Sequence, residues 1–280
     1  MSEIENPTDI YVVGTGMVGY SQLTREVESA FEESEEVYLL DTKGPINKHI
    51  QSEFEAVVYD LTEHYGDDKD RQKTYDEMAS LVLDAADDAK KPVTFALYGH
   101  PMIFVNPSRQ VIKKGESQGM NVEVMPGVSS LDTIFCDINF DPAANGLQTY
   151  EATDMLLREW ELNPEVPAMI WQVSVVETTL HTDRDSVPGR FTRFKEYLQQ
   201  FYPDDHTVHL LQTATFPIAE SKNIPVDLEK FETKTEELNN GYYILYIPPV
   251  EKRDIRNESL AEQAQSRKHL HRITEDPGES

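Results

Sequence analysis

Cysteine is almost absent from this chain, with Cys136 the single one in 280 residues. An internal disulfide is therefore excluded, as is a zinc site built from cysteine pairs. Long apolar runs are missing too: no uninterrupted stretch approaches the roughly 20 residues that cross a bilayer as a helix. The amino end, MSEIENPTDI, lacks the basic region and apolar core of a signal peptide. These absences predict a cytoplasmic protein without a membrane segment. Basic residues are scarce, 25 Lys and Arg against 51 Asp and Glu, which leaves a formal charge of −26. A nucleic-acid partner is disfavoured, because phosphate neutralisation needs clustered cations, and so is attraction to anionic lipid. The acid surplus reads as a solubility device. Hydrophobic residues still make up 39% of the chain, which is globular composition. Cys136 itself reads as a small buried apolar residue, and Trp160 and Trp171 as packing residues.

What is present is α/β grammar. The run IYVVG at 10–14 reads as a buried strand, and a helical pattern follows over 21–33. VYLL at 37–40 makes a second strand, so strand, helix and strand form a βαβ unit with a parallel sheet. Further strands are predicted at 56–59, 93–98 and 122–125, with helices over 71–89 and 107–118. Asp67, Asp68 and Asp70 precede the first of those helices, where carboxylates suit the positive helix end. The grammar then repeats with new content: a short helix from Ser129 with Asp132 as an approximate capping box, helices over 151–161 and 190–201, and strands at 169–176, 207–212 and 242–247. A polar tail follows, with an exposed helix over 258–271 and a disordered end, EDPGES. The expected organisation is an N-terminal α/β lobe over 1–125, a C-terminal α/β lobe over 126–250 and a tail over 251–280.

GTGMVG, directly after the first strand, fits the G-x-G-x-x-G pattern, and Asp41 ends the second strand about twenty residues on. On those residues alone a nicotinamide-dependent oxidoreductase and a plain tight turn both stand. The rest of the chain decides between them. Tyr98-Gly99-His100-Pro101 and Pro126-Gly127-Val128-Ser129-Ser130, taken with the glycine loop, resemble the three signatures of the tetrapyrrole-methylase superfamily. The family's usual Gly-Gly-Asp-Pro is replaced here by Tyr-Gly-His-Pro, the form of its borosin-type peptide backbone α-N-methyltransferases. YGHPMIFVNP (98–107), MPGVSS (125–130), FCDINFD (135–141), YEATD (150–154), WQV (171–173) and YIPP (246–249) all resemble that branch, in its order.

The resemblance implies a two-lobed fold, with a parallel sheet in the first lobe, a mixed sheet in the second and S-adenosylmethionine in the cleft between. It implies that Gly14 and Gly16 lie close to that cofactor, and that Tyr98, His100, Ile103 and Phe104 line one wall. It implies that Ser129 and Ser130 offer hydroxyls or amides, and that Gln172, Val173, Thr213 and Ala214 border the adenine. It also implies an intertwined homodimer. No metal is expected, since the histidines show no ligand spacing.

A peptide amide is a poor nucleophile because its lone pair is drawn into the carbonyl. Methylating it requires proton removal and stabilisation of negative charge on the carbonyl oxygen. Tyr65, Arg71 and Tyr75 suit that work. Arg71 and Tyr75 are four apart and share a helix face with Met78, Val82 and Ala85, a stripe that must point inward. The spacing is similar to the branch's catalytic set, which implies Tyr65 as base or proton relay, Arg71 as charge stabiliser and Tyr75 as the partner orienting the amide, with the two tyrosines able to exchange roles. The branch's fungal members methylate their own carboxyl-terminal extension. The tail here carries no Val/Ile/Gly-rich stretch, so a separate precursor peptide is expected as acceptor. Methylation of a tetrapyrrole or another small molecule is the alternative, and a cofactor-binding scaffold without turnover is the third reading.

Overall fold

The computed structural model describes residues 7–41, 45–216 and 218–274. The first lobe alternates strands and helices: β1 (Ile10–Gly14), α1 (Arg25–Glu33), β2 (Glu36–Leu40), α2 (Ile46–Glu53), β3 (Val57–Asp60), α3 (Arg71–Asp88), β4 (Val93–Leu97), α4 (Asn106–Ser117) and β5 (Val122–Met125). All five strands pair in parallel in the order β3-β2-β4-β1-β5. β1 and β4 are fully buried, which explains their unbroken apolar runs. One face of the sheet packs Phe95 and Leu97 against Met78, Val82 and Val111 of α3 and α4. The other packs Val13 and Leu39 against Val27, Phe31, Ile46 and Ile50 of α1 and α2.

The second lobe comprises α5 (Ser130–Asp137), α6 (Pro142–Asn145), β6 (Gln148–Glu151), α7 (Ala152–Arg158), β7 (Ala168–Trp171), α8 (Thr192–Leu198), β8 (Thr207–Gln212), β9 (Lys222–Asp227), α9 (Thr235–Asn239) and β10 (Ile244–Ile247). Its sheet, β6-β7-β10-β8-β9, is parallel only between β6 and β7, so the predicted mixed sheet is present. Ser129 caps α5 with the predicted box: its side chain accepts the Asp132 amide while Asp132 accepts the Ser129 amide. After β10 come α10 (Glu258–Ala264) and α11 (Arg267–Thr274), both exposed, with Arg253 and Arg256 reaching Glu165. EDPGES lies outside the described residues. No helix among the described residues is long and apolar enough to cross a membrane.

Several local expectations are corrected. Helix α1 starts at Arg25, because Gly19–Gln22 form a 3-10 turn and Thr24 caps the helix. The helix expected over 151–161 is capped by Glu151 and ends at Arg158, because Glu159 turns into the left-handed region at φ 52°. The strand predicted over 169–176 stops at Trp171, because Gln172 turns into the left-handed region at φ 59°. Of the three acids before α3, only Asp70 caps the helix, accepting the Gln72 amide at 2.7 Å; Asp67 and Asp68 pair with Arg184 instead. Cys136 is exposed, since it lies two residues from Ile134, the one buried residue of α5, and so on the helix's far side.

Tyr202 is 2% exposed, stacks on His206, and its hydroxyl has no hydrogen-bond partner among the described residues. Burial, with the nearby Tyr150 second, pushes this phenol up to about 12. Leaving a buried hydroxyl unpaired costs about 1–3 kcal/mol. Tyr202→Phe keeps the stacked ring and removes that cost, so a thermal unfolding midpoint a few degrees above that of the unaltered chain is expected.

Candidate active site

The glycine loop is closed on itself. The amides of Met17 and Val18 donate to the Gln22 side-chain oxygen at 2.7 and 3.0 Å. Gly16 has φ 77°, and a Cβ there would lie 2.5 Å from Gln22 Cβ. A dinucleotide's pyrophosphate needs such amides free at a helix N-terminus. Here Gln22 occupies them and the helix begins later, so the pattern describes a turn.

Beside it, the carboxyl ends of β1, β4 and β5 meet through glycines. A Cβ on Gly14 would sit 2.4 Å from the Gly99 carbonyl oxygen and 2.7 Å from the Gly127 amide nitrogen. Gly16 and Gly99 form a β-bridge across the same point. The chain leaves β1 toward β2 on one side and β4 toward β5 on the other, so the strand order reverses here, where open α/β sheets take ligands. Gly14 and Gly16 are both buried and contribute backbone to this junction.

The wall residues follow. Burial and the nearby Asp41 carboxylate push the Tyr98 phenol up to about 12. His100 Nδ1 accepts the Met102 amide at 3.1 Å, which makes it a turn-stabilising residue. Phe104, at φ 54°, stacks on Trp171 of the second lobe with centroids 4.6 Å apart, and Ile103 joins the cluster of Met169 and Leu211. Trp171 donates from its indole nitrogen to Thr149. Gln172 is exposed, whereas the Val173 side chain is fully buried in the second lobe's core. Thr213 is buried, and the Ala214 amide donates to Ser221. The residues after β7 and β8 emerge at the same end of the second sheet, with β10 between them.

The three predicted catalytic residues come together on the first lobe, all of them half-buried. Met78 and Val82 are fully buried below Arg71 and Tyr75, so the inward stripe is present. The Tyr65 and Tyr75 rings meet edge to face, 6.5 Å apart at 89°. Burial first, then the neighbouring Tyr75, pushes the Tyr65 phenol above its ordinary range; the Arg71 charge opposes that rise. Burial also raises Tyr75, against the lowering influence of Arg71 and Tyr65.

A strap from the second lobe, residues 176–190, closes over this cluster. Arg71 donates from its amide to the Thr179 carbonyl at 3.1 Å and from its guanidinium to the Leu180 carbonyl at 3.3 Å. His181 lies against the Tyr65 ring, and Arg184 pairs with Asp67 and Asp68. Tyr242, just before β10, is close enough to raise Tyr65 further. Sequence reasoning missed Gln22, His181 and Tyr242. The strap is polar and aperiodic, and its partners lie more than a hundred residues away, so no local signal marked it.

The model of the tetrapyrrole (corrin/porphyrin) methylases matches residues 9–229. The chain belongs to this methylase family. Among solved structures it is similar to the methyltransferase CobJ, with a TM-score of 0.61 at 14% identity over 89% of this chain and 97% of that one. It is likewise similar to diphthine synthase, with a TM-score of 0.59 at 14% identity over 94% of this chain and 99% of that one. Those identities speak to the fold alone. Curated relatives include a methyltransferase/ribosomally synthesized type II borosin cyclic peptide precursor of Phlebiopsis gigantea, 30% identical over 89% of this chain and 44% of the relative. A type I counterpart in Serendipita vermifera subsp. bescii is 31% identical over 89% of this chain and 61% of the relative. The dendrothelin A precursor methyltransferase of Dendrothele bispora is 30% identical over 91% and 61%. The chain thus spans between two fifths and two thirds of the length of these relatives.

Proposed function

We propose that this chain is an S-adenosylmethionine-dependent methyltransferase that α-N-methylates backbone amides of a ribosomal precursor peptide supplied as a separate molecule. The observation that carries the reading is the cluster of Tyr65, Arg71 and Tyr75, half-buried beneath a strap from the other lobe. The printed names of the relatives supply the peptide as acceptor class. A homodimer, implied by the borosin resemblance, is the proposed assembly, and sedimentation reads it directly.

The residues at the junction fit the cofactor. Phe104, backed by the buried Trp171, offers its outer aromatic face to a flat base, Ser130 and Thr213 offer hydroxyls, and the phenols and carbonyls suit a sulfonium cation. The closed glycine loop, by contrast, leaves no amides for a pyrophosphate. Bound S-adenosylmethionine would supply an electrophilic methyl group. Tyr65 in its ionised form would take the proton from the amide nitrogen, which would gain the methyl carbon as that carbon's bond to the sulfonium sulfur broke and left a neutral thioether. Arg71 stabilises the negative charge that moves onto the carbonyl oxygen, and Tyr75 holds that oxygen as a hydrogen-bond donor. A burial-raised phenol is mostly neutral at neutral pH, and its ionised form is a correspondingly stronger base.

The sign of the pH dependence follows. Both phenols titrate above their ordinary range, so the ionised fraction of Tyr65 grows about tenfold per pH unit below its pKa. The single-turnover rate should therefore rise with a logarithmic slope near one between about pH 7 and 9; a flat profile would remove Tyr65 as the base. The function itself is tested by incubating the chain with S-adenosylmethionine and a synthetic precursor peptide, then reading fragment masses. Gains localised to backbone amides are expected. Methyl transfer to a tetrapyrrole, with none to peptide, would establish the alternative.

A further inference from the structure

Tyr65 stands outside α3, directly after the 3-10 turn Leu61–His64 and before Gly66. A tyrosine in such a loop samples several rotamers, and fixing one carries an entropic cost. Its ring is nevertheless held from two sides. Tyr75 meets it edge-on from α3. His181 lies against it from the second lobe, with ring centroids 5.0 Å apart at 36°.

The backbone at His181 is fixed independently of its side chain. Its carbonyl accepts the Asp68 amide and its amide donates to the Lys69 carbonyl, both at 2.9 Å. Asp70 and Leu180 form a β-bridge next to it, and Arg184 is tied to Asp67 and Asp68 three residues on. The imidazole Nε2 is 3.4 Å from the Asp183 carboxylate. That contact turns the ring's edge toward Asp183 and leaves its face for Tyr65.

Resting on the reading of Tyr65 given above, we propose that His181 is a positioning residue: the second lobe supplies the ring that sets the angle of the first lobe's base. Close aromatic ring pairs contribute beyond their buried area, and small misplacements of a reacting group are costly. The site is therefore complete only when the strap is seated, which couples the docking of the two lobes to the chemistry.

The test compares His181→Ala with His181→Phe in the full chain. His181→Ala is expected to lower kcat about ten- to a hundredfold, with KM for S-adenosylmethionine unchanged within about twofold. His181→Phe, which restores an aromatic face without a titratable nitrogen, should recover the rate to within about threefold. In protein labelled with carbon-13 in its tyrosine rings, the Tyr65 signal, assigned by its loss in Tyr65→Phe, should shift or broaden in His181→Ala and return in His181→Phe. An unchanged rate and an unchanged Tyr65 signal in His181→Ala would overturn the proposal. So would a His181→Phe variant as slow as His181→Ala, because the imidazole would then act through its proton. If Tyr65→Phe turns over normally, the catalytic reading fails, while the ring signal still decides whether His181 orients Tyr65.

Discussion

Tyr65→Phe should lower the rate of methyl transfer by about a hundred- to ten-thousandfold, the range a positioned proton acceptor contributes. The ring stays, its edge contact with Tyr75 and its face contact with His181 stay, and only the hydroxyl is lost. Cofactor affinity and thermal stability should move little, which separates loss of chemistry from loss of structure. Arg71→Ala is expected to cost about a hundred- to a thousandfold, as removal of one charge-stabilising donor does. It also removes an influence on Tyr65 that opposes its raised pKa, so the pH–rate profile should shift further toward alkaline pH. Arg71→Lys keeps the charge but not the guanidinium's bond to the Leu180 carbonyl, and should fall between. Single-turnover methylation of the synthetic precursor, followed by mass, reads all three. Normal turnover by Arg71→Ala would overturn the mechanism while leaving the family assignment intact.

Gly127→Ala should prevent the native fold. A Cβ at that position would lie 2.3 Å from the Gly99 carbonyl oxygen and 2.6 Å from the Gly14 carbonyl carbon and oxygen. All of these are backbone atoms at the ends of β1 and β4, so no side chain can swing aside to make room. The loss should exceed about 4 kcal/mol, in the range reserved for core disruption, and most of the chain should be recovered insoluble. Gly119→Ala is the control: it has φ 84° but nothing within 4 Å of an added Cβ, so only backbone strain of about 1 kcal/mol is expected. Soluble yield and the thermal midpoint distinguish the two. A Gly127→Ala chain that melts with the unaltered protein would mean the three strand ends are not in contact.

The elements the sequence disclosed are those whose burial leaves a local mark. β1, β2 and β4 are apolar runs because both their faces are covered, and α3 declares itself through Met78 and Val82 below Arg71. The elements it hid are short, polar or peripheral. Helix α2 buries only Ile46 and Ile50 in an otherwise polar stretch, β9 is an edge strand interrupted by Pro225, and β6 offers four residues with none fully buried. The proposed catalytic cluster was legible because Arg71 and Tyr75 lie one helical turn apart and, with Tyr65, resemble the spacing of the borosin-type branch. The strap that completes it was not, because Thr179, Leu180 and His181 are joined through backbone atoms to the start of α3 and the loop before it, and backbone pairing over so long a separation has no compositional signature. The expected cofactor residues divide in the same manner. Turn residues such as Gly16 and His100 sit at the junction, whereas the Val173 side chain belongs to the second lobe's core.

The strand order carries one more consequence, for how the protein is made. β1 is made before the other strands of its lobe, yet it lies inside the sheet, paired only with β4 and β5. Ile10 must wait for Val93 and Val122 before either edge of its strand is satisfied. During synthesis this lobe therefore cannot mature stepwise; its centre is assembled last, with its earliest strand inserted between two later ones. Such delayed, long-range closure is slow and leaves apolar strand exposed meanwhile, so a nascent chain halted before Met125 should be a client for chaperones and not a folded fragment.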